Sequence, residues 1–84
     1  MKKVAFLISN IEEYGKFISF CINNDISVWH TYWDEREKGN RCYFIDWEQF
    51  DCYYSSRQNC EYYGYEIVCP TFKLTEYGNY RMCC

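Results

Sequence analysis

Apolar residues recur along this chain with two different periods, and the switches between them mark out its elements. Val4 to Ile8 is a continuous apolar run of strand length. From Ile11 the spacing lengthens: Ile11, Tyr14, Phe17, Ile18, Cys21 and Ile22 fall on one face of a helix, with Glu12, Glu13, Lys16 and Ser19 on the other. Asn23-Asn24-Asp25 ends that helix, because Asn tolerates the left-handed backbone a helix terminus often needs. Ile26 to Trp33 then alternates, with Ile26, Val28, His30 and Tyr32 on one side and Ser27, Trp29, Thr31 and Trp33 on the other, which predicts a strand. The charged stretch Asp34 to Asn40 ends in Gly-Asn and reads as a hairpin loop into a strand over Arg41 to Ile45.

The start of the pattern then repeats. Asn10 with Glu13, and Asp46 with Gln49, both have capping-box spacing, in which the first side chain accepts from the amide three residues on. A second helix is therefore expected over Trp47 to Tyr63, with Phe50, Tyr53, Tyr54, Arg57 and Cys60 on its inner face and Gly64 as its stop. Ser55, Ser56 and Asn59 weaken that helix, and a hairpin through Ser55 to Asn59 is the competing reading. Tyr65 to Leu74 reads as a closing strand in which Pro70 demands an edge or a bulge. Residues 75–84 form a turn and a C-terminal tail beyond a core of residues 1–74 in a single domain.

This order predicts an α+β, ferredoxin-like β-α-β-β-α-β fold, with two helices on one face of a four-stranded antiparallel sheet. If Ile26, Val28, Tyr43 and Ile45 face the helices, then Leu7, Trp29, Thr31, Trp33, Phe44 and Val68 form an open apolar face. Such a patch marks a surface for a partner or a dimer.

Composition sharpens that expectation. Aromatic residues are 23% of 84 residues, ten of them Tyr, which is more than a core this small encloses. Either the excess lies at the surface, where Tyr and Trp favour protein contacts, or most of the rings are half-buried packing residues. A net charge of −3 lacks the basic footprint of a nucleic-acid binder and is too slight for a DNA mimic.

The seven cysteines show no zinc-knuckle spacing and His30 is the only histidine, so neither a metal nor a cofactor is expected. The first apolar run is too short for a signal sequence or a membrane span, and the odd thiol count reads as reduced and cytoplasmic. Cys21 and Cys69 are expected to be buried small hydrophobes. Cys83-Cys84 could be an oxidation or palmitoylation site, or part of a frayed tail. His30 has no recognisable nucleophile partner, Asp46, Glu48 and Asp51 suit the start of a helix, and the four glycines are isolated. No enzymatic activity is expected.

Phe6-Leu7-Ile8-Ser9-Asn10-Ile11 resembles the first-strand motif of RNA-recognition-motif domains, and Phe44-Ile45-Asp46-Trp47 resembles the second half of their third-strand motif. That resemblance implies binding of single-stranded RNA by ring stacking, with Phe44 as a stacking residue. Leu7, Arg41 and Cys42 depart from the family pattern where it has a base-stacking ring, a glycine and an aromatic.

In overall character, a tiny chain dense in Lys, Asn, Ile and Tyr, the sequence also resembles small phage and mobile-element proteins. Inhibitors of anti-CRISPR type are among them. This implies a non-enzymatic module in a bacterial host cell that binds a defence or nucleic-acid-processing protein. Its expected contact residues are Trp29, Trp33, Phe44, Tyr53, Tyr54, Tyr62 and Tyr63. A housekeeping subunit or a homodimeric ligand-sensing domain shares the same features.

Overall fold

The computed structural model describes residues 3–83. In chain order the elements are β1 (Val4–Leu7), α1 (Ile11–Asn23), a 3-10 turn (Glu35–Glu37), β2 (Arg41–Asp46), β3 (Asp51–Ser56), α2 (Arg57–Tyr62), β4 (Glu66–Val68), β5 (Thr71–Leu74) and β6 (Tyr80–Cys83). The first four strands form one sheet in the order β3-β2-β1-β4, and β5 and β6 form a separate two-stranded ribbon. β1 is antiparallel to β2 but parallel to β4, so the four-stranded sheet is mixed. The α+β class stands, but the ferredoxin-like antiparallel arrangement does not.

The two helices also lie on opposite faces. Side chains alternate along a strand, so Phe6, Tyr43, Ile45, Cys52 and Tyr54 point to one face, where Phe17 and Cys21 of α1 complete the core. Phe17 is fully buried, with its ring centroid 5.8 Å from Phe6, 5.7 Å from Tyr43 and 6.3 Å from Phe72 of the ribbon. Ala5 and Cys42 point to the other face and pack against Cys60 of α2.

α1 matches its sequence pattern. Asn10 accepts from the Glu13 amide at 2.8 Å, and Tyr14, Phe17, Ile18 and Cys21 point inward. Phe20 joins them, whereas Ile11 and Ile22 at the helix ends are exposed.

The strand expected over Ile26 to Trp33 is absent. Ser27 alone bridges Asp51, and the chain then turns, with the Thr31 amide and hydroxyl both donating to the Val28 carbonyl. The turn pairs the Thr31 amide with the Val28 carbonyl locally, and Ile26 and Val28 still reach the core from it.

The helix expected over Trp47 to Tyr63 is instead a hairpin with a short helix after it. Asp46 caps as expected, its Oδ1 accepting from the Glu48 and Gln49 amides, but the segment it caps is the turn of residues 47–50. A helix start and a tight turn present the same amides to such a cap. Cross-strand pairing decides between them, since Asp51 to Ser56 pairs with β2 residue for residue. Phe50 closes the turn in the left-handed region at φ 54°, a conformation that costs a side-chain-bearing residue about 1 kcal/mol.

Ser56, a weak residue for a helix interior, caps α2 by accepting from the Asn59 amide. The hairpin through Ser55 to Asn59 is therefore also absent. Gly64 at φ 85° is the expected stop, and the Tyr65 amide folds back to the Cys60 carbonyl. Pro70 separates β4 from β5, which belong to different sheets, and residues 75–83 return as a turn and β6, paired with β5.

Since the core turns on one ring, Phe17→Ala should cost about 3–5 kcal/mol and unfold most of so small a domain. Ile22→Ala, at an exposed position, should stay within about 0.5 kcal/mol. Urea melts monitored by circular dichroism measure both.

Candidate functional site

α2 covers only part of its sheet face. Beside it, Phe44 of β2 lies directly opposite Tyr53 of β3, with ring centroids 6.0 Å apart. The neighbour of Phe44 on β1 is Ala5, a methyl group that leaves the space above it to Tyr65, whose ring lies 5.0 Å from Phe44. Tyr53 continues the row to His30 at 5.4 Å, and His30 to Trp29 at 3.7 Å. Tyr65, Phe44, Tyr53, His30 and Trp29 thus form a ring-to-ring strip across the sheet. Lys3 lies over its Tyr65 end, with Nζ 5.5 Å from the ring centroid.

Phe44, Tyr53, Tyr65, Trp47 and Lys3 line an open groove of about 920 Å³ at the end of the sheet. Trp47 stands at the hairpin tip, 44% exposed, and Tyr63 borders the α2 side of the strip.

Carboxylates flank the rings. Asp46 and Asp51 are cross-strand partners on this same face, next to Phe44 and Tyr53. Asp51 accepts from the Tyr53 hydroxyl at 3.4 Å, and exposed Glu48 lies in the adjoining turn. Burial first, and then the Asp51 carboxylate, raises the Tyr53 phenol above its ordinary range. Among the described residues, no ion pair involves Asp46, Glu48 or Asp51.

The seven expected contact residues do not form one surface. Phe44 and Tyr53 meet in the strip, Trp29 ends it at 77% exposed, and Tyr63 lies at its margin. Tyr62 is exposed and meets Tyr63 edge to face. Tyr54 points to the α1 face, where the Arg41 guanidinium lies 4.4 Å from its ring and 4.7 Å from that of Tyr32. Trp33 also belongs to that side, with its ring against Tyr14 and its Nε1 donating to Glu35 at 2.6 Å. Trp29 and Trp33 therefore do not share a face, because the strand that would have aligned them is a turn. Of the other positions assigned to the open side, Leu7 is there, whereas Val68 packs on the α1 core.

Sequence reasoning missed Tyr65, Trp47 and the Asp46–Asp51 pair. The alternation of β2 and β3 about the turn would have placed that pair and Phe44 with Tyr53, once the hairpin was recognised.

Cys21 and Cys52 are buried on one side of the sheet, and Cys42 and Cys60 on the other. Burial, reinforced by the neighbouring Cys60 thiol, pushes Cys42 up to about 12, and Cys52 is raised by the Cys21 thiol and by burial. Cys69, expected to be buried, is exposed, and Cys83 is half-buried at the end of β6. Cys84 lies outside the described residues. Among the described residues, no three His, Cys, Asp or Glu side chains are grouped so that they could hold a metal ion. No helix among them is long and apolar enough to cross a membrane.

No family model matches this chain, and comparison with curated proteins and with solved structures likewise gives no match.

Trp33→Ala should cost about 3 kcal/mol, because the ring packs on Tyr14 and the core, whereas Trp29→Ala should stay within about 0.5 kcal/mol. Thermal melts of the two variants decide this.

The thiols give a second test. In the native protein a thiol-specific alkylating reagent should label Cys69 readily and leave Cys21, Cys42, Cys52 and Cys60 unlabelled until the chain unfolds. Because the unfolded Cys42 thiol ionises near 9.0 and the folded one only at about 12, the unfolded state releases its proton first as pH rises. Stability should therefore hold below about pH 8 and fall from about pH 9 upward.

Proposed function

We propose that the chain is a non-enzymatic protein-binding module whose contact surface is the strip of Tyr65, Phe44, Tyr53, His30 and Trp29 with Trp47 at its edge. The observation that carries this reading is a continuous run of rings on the part of a sheet face that α2 leaves uncovered. Rings of this kind fill partner pockets at a low cost in side-chain entropy, and a few of them supply most of an interface's energy. In its finer form the proposal is a cytoplasmic inhibitor of a host defence or nucleic-acid-processing protein, of anti-CRISPR type. That form rests on the chain's size and composition.

Single-stranded RNA binding is the second reading, favoured by Phe44 and Tyr53 standing side by side on adjacent strands, a placement on which bases can stack. Asp46, Glu48 and Asp51 beside those rings oppose it, since they repel phosphate.

Affinity capture with the tagged chain, from cells that carry its gene, tests the proposal. The wild type should retain a stoichiometric protein, and Trp47→Ala with Tyr53→Ala should lose at least about 2 kcal/mol of that affinity while Tyr62→Ala keeps it. Capture indifferent to Trp47 and Tyr53 would remove the strip from the interface. Binding to short single-stranded RNAs that falls steeply with salt and disappears in Phe44→Ala would put the RNA reading in its place.

A further inference from the structure

Two negative charges placed directly opposite each other on adjacent strands destabilise a sheet unless a cation lies between them. Asp46 and Asp51 are such a pair, at the end of a hairpin whose next pair on the same face is Phe44 and Tyr53. Among the described residues, neither carboxylate has a basic partner. Nor are they grouped with a third ligand so as to hold a metal ion. The ring faces beside them favour cations too, because a guanidinium or ammonium group is drawn to the negative face of an aromatic ring. The chain itself uses that preference twice, with Arg41 against Tyr32 and Tyr54 and with Lys3 over Tyr65.

We infer that this end of the groove takes an arginine side chain from the protein partner, its guanidinium over the Phe44 and Tyr53 rings and its N–H groups donating to Asp46 and Asp51. Arginine fits better than lysine. Its plane stacks on a ring while its edge presents parallel donors to carboxylates, and it loses less hydration on entering the groove. Trp47 at the hairpin tip walls the site, and Glu48 adds to the negative field that draws a basic segment in. The inference rests on the protein-binding reading of this face and names the chemistry it selects.

Isotope-labelled full chain titrated with three Gly-Ser peptides of equal length, carrying three Arg, three Glu or three Leu residues, tests it by NMR. The Arg peptide should give saturable shifts at the Trp47 indole N–H and at the Phe44 and Tyr53 amides, and the Glu and Leu peptides should not. The double variant Asp46→Asn, Asp51→Asn keeps the turn-capping oxygen and should weaken the Arg peptide at least five-fold while melting no lower than the wild type. Equal affinity in that variant, or no saturable shift with the Arg peptide, overturns the inference. If the Leu or Glu peptide binds instead and Trp47→Ala abolishes it, the arginine site falls while the protein-binding face stands. If only single-stranded RNA shifts these signals, both fall.

Discussion

The layout of this molecule depends on the register of one antiparallel pairing, β2 against β3 from Arg41–Ser56 to Asp46–Asp51. A shift of one residue would exchange the two faces of both strands. In the observed register Tyr43, Ile45, Cys52 and Tyr54 meet α1, and Tyr43 becomes fully buried, with its hydroxyl donating to the Tyr32 carbonyl at 3.0 Å. The same alternation sends Phe44, Tyr53, Asp46 and Asp51 to the far face. One constraint thus builds the core and lays out the half-buried strip.

The two faces are finished differently. On the α1 side, Phe6, Phe17, Tyr43 and Phe72 form a chain of ring contacts that the β5–β6 ribbon helps to close, so the residues after Pro70 contribute to the core. On the other side α2 is short and contributes one buried side chain, Cys60. It runs only from the Ser56 cap to the stop at Gly64, and beside it Phe44, Tyr53 and Tyr65 are half-buried.

Much of the first third of the chain is legible from spacing, because the Asn10 cap and the Tyr14, Phe17, Ile18 and Cys21 stripe admit one reading. The second third is not. Asp46 caps a turn with the same side-chain geometry that begins a helix, and the pairing of β3 with β2 distinguishes the two. Ile26 to Trp33 alternates as a strand does, yet after the Ser27 bridge to Asp51 the chain turns, with Thr31 donating back to the Val28 carbonyl, and does not continue along the sheet. The site is half visible in the sequence for the same reason. Phe44 lies on a strand that spacing reveals, whereas Tyr53 falls where spacing suggests a helix, and Tyr65 meets Phe44 across the buried Ala5 through the tertiary fold alone.

The proposed partner surface is the β2–β3 face carrying Phe44, Tyr53 and Trp47. Backbone hydrogen exchange of the chain, alone and bound to the protein it captures, addresses that most directly. New protection is expected at residues 29–30, 44–53 and 63–66 alone. Protection confined to α1 or to the β5–β6 ribbon, with 44–53 unchanged, would contradict it.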